Sequence, residues 1–356
     1  SSGSTPNSEP VYFEFVDYEP ETPASGVKTL ASINAISGSN KYIDLNWASG
    51  STDTTFNGTI PADINNLTLT IKPFHAAASI EVCPDAACVT TTFSLLANSG
   101  IALLSGDADN TLTTTLSNLT TGSNKSYYKV TAENGDEEIY TIDIKKLNDD
   151  ASLGSVTLTN GITLNYDSAT KTYSASNVPF STNKTNISAS VTANSNAVID
   201  STGTTWNVTS GAITNVEWNL TNTGTTANTG TIKVNAENCD SAYNSVPGNT
   251  CTTNTYTVDV SRNEPKTIAT LKSLTVNGTL VNGFVPDSAT DLEYTLADTT
   301  SATLNIAGIV TDNSNATITS GTGSVNLVVG ENTFNVVVTA EDGTTTKTYT
   351  INVKRL

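Results

Sequence analysis

Hydrophobic and polar residues alternate with a period of two along most of this chain, as in Leu67-Thr68-Leu69-Thr70-Ile71 and from Ile187 to Val191, and long helical periodicity is absent. Runs of this kind, spaced roughly every 8–12 residues with Gly, Asn and Asp between them, predict antiparallel strands joined by turns. One hairpin pattern occurs three times. Val130-Thr131-Ala132-Glu133-Asn134 leading to Tyr140-Thr141-Ile142-Asp143-Ile144 reappears as Val234 to Asn238 with Tyr256 to Val260, and again as Val338 to Asp342 with Tyr349 to Val353. Ala132, Ala236 and Ala340 stand 104 residues apart each time, the period of a small domain rather than of a solenoid unit. Each repeat opens on a similar strand, at Leu30 to Ile33, Leu153 to Val156 and Leu271 to Leu274. Asn160-Gly161 and Asn277-Gly278 follow in the second and third as hairpin turn signals. An aromatic strand comes next, around Tyr173 and Tyr294, with Phe56 as the looser counterpart.

The expected fold is therefore all-β: three tandem immunoglobulin-like antiparallel β-sandwiches over residues 27–147, 151–262 and 269–356, preceded by an extension strand in residues 1–26. Short joints, Leu147-Asn148-Asp149-Asp150 and the proline-containing Asn263 to Ile268, favour a semi-rigid string over freely jointed beads. The opening Leu-x-Ser-hydrophobic strand, the Pro286-Asp287 turn before Tyr294, and the closing Ala340-Glu341-Asp342-Gly343 hairpin with Thr348-Tyr349-Thr350-Ile351 resemble the cadherin-like β-sandwich family. The resemblance is good over 269–356. Over 151–262 it holds with an insertion, and over 27–147 mainly at the two ends. It implies an immunoglobulin-like module of secreted proteins and brings no catalytic residues with it.

One strand-grade segment belongs to no repeat. In Val11 to Tyr18, Val11, Phe13 and Phe15 share one face, while Tyr12, Val16 and Tyr18 share the other. Pro20 and Pro23 end it. Left unpaired, it would expose its backbone and four aromatic rings to water, so it is expected to be paired. The segment resembles the donor strand of pilin-type subunits. That resemblance implies insertion into a neighbouring copy, a head-to-tail contact that generates a helical homopolymer. Pairing with the first repeat of its own chain is the competing expectation.

Composition narrows the function classes. The 356 residues carry a net charge of −18, with 16 Lys plus Arg and one histidine, which excludes nucleic acid and anionic membrane surfaces as partners. No run is long and apolar enough for a membrane span. A start at Ser1 without any methionine is expected of a mature or trimmed form, and Ser1-Ser2-Gly3-Ser4 resembles the tether of a bacterial lipoprotein. Cysteines fall into two local pairs, Cys83 with Cys88 and Cys239 with Cys251, the second bracketing the insertion Asp240 to Thr250. Of the three pairings open to four cysteines the local one is preferred. Disulfides imply an extracellular or cell-surface setting, here expected to derive from a bacterial envelope.

Enzymatic chemistry finds little material. His75 is the sole histidine and has no nucleophile motif beside it, so no enzyme and no cofactor are expected. Asp107-Ala108-Asp109-Asn110 and Asn148-Asp149-Asp150 are the best calcium candidates, yet they read better as solvated turn acids, and no metal is assigned. Trp47, Trp206 and Trp218 occupy unmatched places in the repeats and read as packing rather than as a sugar-stacking platform. Asp followed by Ser or Thr and a small or aliphatic residue or Thr occurs at Thr54, Ser168, Ser201, Ser241, Ser288 and Thr299. It resembles the O-glycan acceptor motif of some bacterial envelope proteins and is equally a turn dipeptide. The expected function is a structural filament subunit assembled by strand donation, with covalent glycans as candidate partners. The alternative is a monomeric surface adhesin or stalk that binds glycan or protein through its loops.

Overall fold

The computed structural model describes residues 26–38, 42–46, 52–88, 110–288, 290, 292–312 and 314–356. Val11 to Tyr18, Trp47, Asp107 and Asp109 lie outside these described residues.

Period-two burial follows the sequence pattern closely, since a strand places alternate side chains on opposite faces. In Leu67–Pro73 the residues Leu67, Leu69, Ile71 and Pro73 are buried, and in Glu137–Lys146 it is Tyr140, Ile142, Ile144 and Lys146. The strands pair into two sheets per sandwich. In the first sandwich one sheet runs Tyr42–Ile43, Leu30–Ser37, Leu67–Pro73, Leu112–Leu116, and the other runs Thr55–Ile60, Glu137–Lys146, Gly122–Thr131, Ser79–Cys83. Ile33, Leu69 and Ile71 from one sheet meet Phe56, Tyr128 and Ile142 from the other in a single core. The third sandwich has the same plan. Its sheets are Thr279–Leu280, Leu271–Val276, Thr303–Val310, Gly323–Asn326 and Glu293–Thr295, Thr346–Arg355, Gly330–Thr339, Thr317–Ser320. Leu271, Leu274, Ile306, Val336, Tyr349 and Ile351 form its core.

The middle strands form a sheet of five, Asn165–Asp167, Thr172–Val178, Thr253–Arg262, Asn228–Asn235, Val198–Asp200, and a sheet of three, Ile213–Asn219, Lys184–Val191, Leu153–Leu158. Two compact units divide the described chain. One contains residues up to Val156 with Ser188–Thr214 and Thr231–Tyr256; the other contains Thr157–Ile187, Asn215–Gly230 and Thr257–Leu356.

Not every pairing is antiparallel. Thr55–Ile60, Thr172–Val178 and Glu293–Thr295 each run parallel to the last strand of their repeat. In the register of those pairs Phe56 faces Ile142, Tyr173 faces Val258 and Tyr294 faces Ile351. Each aromatic thus sits opposite the residue two places after the repeat tyrosine, which makes Phe56 the structural equivalent of the other two. The Asn277-Gly278 turn forms as expected, joining Thr275 and Val276 to Leu280 and Thr279, with φ of 49° and 78° at its two residues.

Two recurring polar features close each sandwich. The repeat tyrosines reach the start of the first strand or the residues just before it: Tyr140 Oη donates to Lys28 O at 3.0 Å, Tyr256 Oη donates to Ala151 O at 3.2 Å, and Tyr349 Oη accepts from Leu271 N at 2.8 Å. Six residues after each tyrosine stands a cation, Lys146, Arg262 or Arg355, that donates to the carbonyl of Leu119, Leu220 or Leu327. Lys146 and Arg262 are buried. Lys146 also donates to Asn65 Oδ1 and Arg262 to the carbonyl of Phe180, so most of the polar hydrogens of the two buried cations find acceptors, although Arg262 Nε finds none among the described residues.

Candidate functional site at the linkers

The hairpin glutamates grip the incoming chain. Glu237 lies in a short 3-10 turn, Glu237–Cys239, directly after the buried Ala236, and is itself buried. Its Oε2 accepts from the backbone N–H of Asn148 in the first linker at 3.0 Å, while the N–H of Asn238 donates to Asn148 O at 3.1 Å. Its Oε1 accepts from the Asn196 side-chain amide at 3.2 Å and pairs with Lys145 Nζ at 2.9 Å. Glu341 repeats the arrangement. Its Oε2 accepts from Lys266 N at 3.0 Å, its Oε1 accepts from Asn315 Nδ2 at 2.7 Å, and Asp342 N donates to Lys266 O at 3.3 Å. A carboxylate and the next backbone amide thus capture both backbone polar groups of one linker residue, an ordering contact that a flexible tether would lack.

Charge reinforces the first joint. Lys145, at the end of its strand, also donates to Tyr243 Oη and stands 4.8 Å from that ring's centre. Its ammonium is held above the ordinary lysine range by Glu237 and then by Tyr243. Tyr243 comes from the insertion. Cys239 is bonded to Cys251, Asn249 Nδ2 donates to Asn238 O at 2.7 Å, and Asn238 Nδ2 donates to Thr250 O at 2.9 Å, so the eleven-residue excursion is tied at its neck. Asn196, Val198, Glu237 and Tyr243 border an open cleft of about 270 Å³. At the second joint, Lys266 and then Asn315 hold the Glu341 carboxyl below its ordinary value of 4.5.

The other candidate residues fall elsewhere. Cys83 is bonded to Cys88, across the end of strand Ser79–Cys83. His75 Nδ1 accepts from Ala77 N at 3.1 Å, and its Nε2 stands 4.0 Å from Glu133. Trp206 is buried, and Trp218, half-buried, packs against the cluster of Ala175, Val178, Leu220 and Val260. Asn148 Oδ1 accepts from Asp150 N and Asp150 Oδ1 from Ser152 N, each at 2.9 Å, which makes this candidate calcium segment a pair of local turns. Among the described residues no three His, Cys, Asp or Glu side chains converge as for a metal. The Asp-Ser triplets are turns as well: Asp167, Asp200 and Asp240 each accept from the N–H two residues on. Ser168, Ser201 and Ser241 are exposed on those turns; Thr54, Ser288 and Thr299 are half-buried. Among the described residues no helix is long and apolar enough to cross a membrane.

Known proteins add a family match to one segment. The cadherin-like beta sandwich domain family matches residues 271–356. No curated protein matches the sequence. Similar solved structures include the protocadherin gammaB4 extracellular domain, at 10% identity over 91% of this chain and 50% of that one with a TM-score of 0.27. The human desmocollin-1 ectodomain gives 12% identity over 86% of this chain and 60% of that one, TM-score 0.26. Murine CEACAM1b gives 12% over 57% and 95%, TM-score 0.27. The chain therefore spans only half of the first of these and 60% of the second. At such scores the sandwich assignment stands on the strand pairings and cores themselves.

Two outcomes are expected at the joints. Glu237→Ala removes the acceptor of three donors and leaves buried polar groups unpaired, at a cost of about 1–3 kcal/mol; faster proteolysis between Leu147 and Asp150 would register it, and unchanged cleavage would show that the carboxylate does not order the linker. The Glu341 carboxyl is depressed in the folded state, so its contribution is present above the unfolded value and is lost as pH falls below about 4.5. Protection of the amides around Lys266, relative to their intrinsic exchange rates, should then fall in acid in the parent chain, and Glu341→Gln should flatten that dependence.

Proposed function

We propose that this chain is a structural subunit of an extracellular helical filament, joined head to tail by insertion of Val11 to Tyr18 into a neighbouring copy. Three sandwich domains, 27–147, 151–262 and 269–356, make up the subunit body, and the third is the favoured acceptor of the strand. The observation that carries the reading is the alternation within the segment itself. Val11, Phe13 and Phe15 make one continuous apolar face, opposite Tyr12, Val16 and Tyr18, in a stretch outside every repeat. Burying those three apolar side chains contributes about 1.5–3 kcal/mol each before ordering costs, enough for an anchor when combined with a full backbone ladder.

Several features support the setting. Two disulfides fit an oxidising compartment, and tandem sandwiches with gripped linkers suit a load-bearing subunit better than a catalyst. A net charge of −18 keeps free subunits apart, so a specific strand contact is needed to assemble them. We assign O-linked glycans to the exposed Ser168, Ser201 and Ser241. An intact mass of native material equal to that of the bare polypeptide would remove the glycans from this reading.

Deleting residues 1–20 tests the assembly. The expected result is loss of filaments by electron microscopy while the cooperative unfolding of the sandwiches persists. Destabilisation of the first sandwich, with no polymer formed by either the parent or the shortened chain, would instead favour a monomeric adhesin or stalk.

A further inference from the structure

We infer that the far end of the third sandwich docks on the Glu133 turn of the first sandwich in a second copy, repeating between subunits the Lys145–Glu237 contact made within one chain. The inference rests on the head-to-tail filament reading and adds to it a second contact beside strand insertion.

Positional equivalence identifies both halves of the contact. Lys145 lies five residues after Tyr140, and the residue five after Tyr349 is Lys354, whereas the middle repeat has Ser261 there. Lys354 is exposed and makes no ion pair among the described residues. On the acceptor side, Ser79 pairs with Thr131, Val198 with Asn235 and Thr317 with Thr339, so Glu133, Glu237 and Glu341 hold the same place in their hairpins. The same registers align Ala77 with Asn196 and Asn315. Those two asparagines donate to Glu237 and Glu341; Ala77 has no side-chain amide to offer Glu133. The Glu133 side chain is 60% exposed, with His75 Nε2 at 4.0 Å. Among the described residues Lys354 therefore has no carboxylate partner, and Glu133 has His75 beside it but neither an asparagine amide nor a lysine.

Apolar exposure marks the same end of the third sandwich. Gly330 pairs with Arg355, and just before Gly330 stand Val329, 73% exposed, and Val328, 67% exposed. In the first sandwich, where Gly122 pairs with Lys146, the corresponding residues are Thr121 and Thr120. Turn geometry does not require the valines. Asn332 accepts from Val328 N and donates to Val328 O, each at 2.8 Å, while Asn124 makes the same two bonds to Thr120 at 2.9 and 2.8 Å. Valine in place of threonine at two exposed positions raises the cost of leaving this end in water, which a docked partner relieves.

The occupant that fits is a second copy of this chain, because Glu133 offers Lys354 the same carboxylate that Lys145 finds at Glu237. Gly26, which follows the extension segment in the chain, lies at this same turn: a Cβ on it would stand 3.0 Å from Asn134 Nδ2, beside Glu133. Strand insertion into the third sandwich of a neighbour would therefore bring the Glu133 turn to that sandwich.

Charge reversal in the full chain tests this contact. Lys354→Glu and Glu133→Lys should each raise the critical concentration for polymerisation about tenfold, and the double variant should recover most of the loss. Val328→Thr with Val329→Thr, which copies the first sandwich, should weaken polymerisation without lowering the unfolding midpoint. Single variants that polymerise like the parent, or a double variant no better than either single, would overturn the docking while leaving strand donation standing. A chain lacking residues 1–20 that still polymerises would overturn strand donation, and the charge-reversal result would then judge the docking alone. A parent chain that stays monomeric overturns both.

Discussion

A carboxylate bound to a backbone amide organises the two joints of this chain. Glu237 and Glu341 each follow a buried alanine at a hairpin turn, and each accepts the N–H of the linker that enters its sandwich. The contact is short, charge-assisted and completed by the next backbone amide, which donates to the same linker residue's carbonyl. Buried as it is, Glu237 could not persist without such donors, since an unpaired carboxylate in that position would be expelled or neutralised. Lys145, Asn196 and Asn148 together meet that requirement. The joint is therefore a consequence of how the hairpin itself is stabilised.

Much of this was legible in the amino-acid pattern, and the reasons for what was not are physical. Period-two alternation and the thrice-written hairpin located many of the strands and the final hairpin of each repeat, because strand burial is a local property of the pleat. The same quoted motif contained Glu133, Glu237 and Glu341, yet their role stayed hidden: their partners lie in linkers and loops tens of residues away, and charge at a turn ordinarily means solvation. Phe56 looked like a weak match to Tyr173 and Tyr294 until the parallel register against Ile142, Val258 and Ile351 showed one common position. Parallel pairing itself left no mark on the alternation. The cations six residues after each repeat tyrosine, two of them buried, were equally invisible, since nothing local in the sequence marks Lys146 and Arg262 as caps for Leu119 and Leu220. A comparison of the three repeats column by column would have exposed both features.

Differences between the repeats are as informative as their likeness. The middle repeat carries a disulfide-necked insertion whose Tyr243 backs the Lys145–Glu237 pair. The third closes its turn tightly instead, with Asp342 accepting from Thr344 and Thr345 and its carboxyl held at about 2 by those bonds. The first has neither the asparagine nor a lysine aimed at its glutamate. The third also carries Val328 and Val329 where the first has Thr120 and Thr121.

Whether Val11 to Tyr18 finds its hydrogen-bonding partner in another molecule is the point on which the functional account turns, and amide hydrogen exchange resolved to that segment measures it directly. The account predicts amides that exchange freely in dilute subunits and become strongly protected once filaments form. Equal protection in dilute and assembled samples, as self-pairing would give, or free exchange in both, would contradict it.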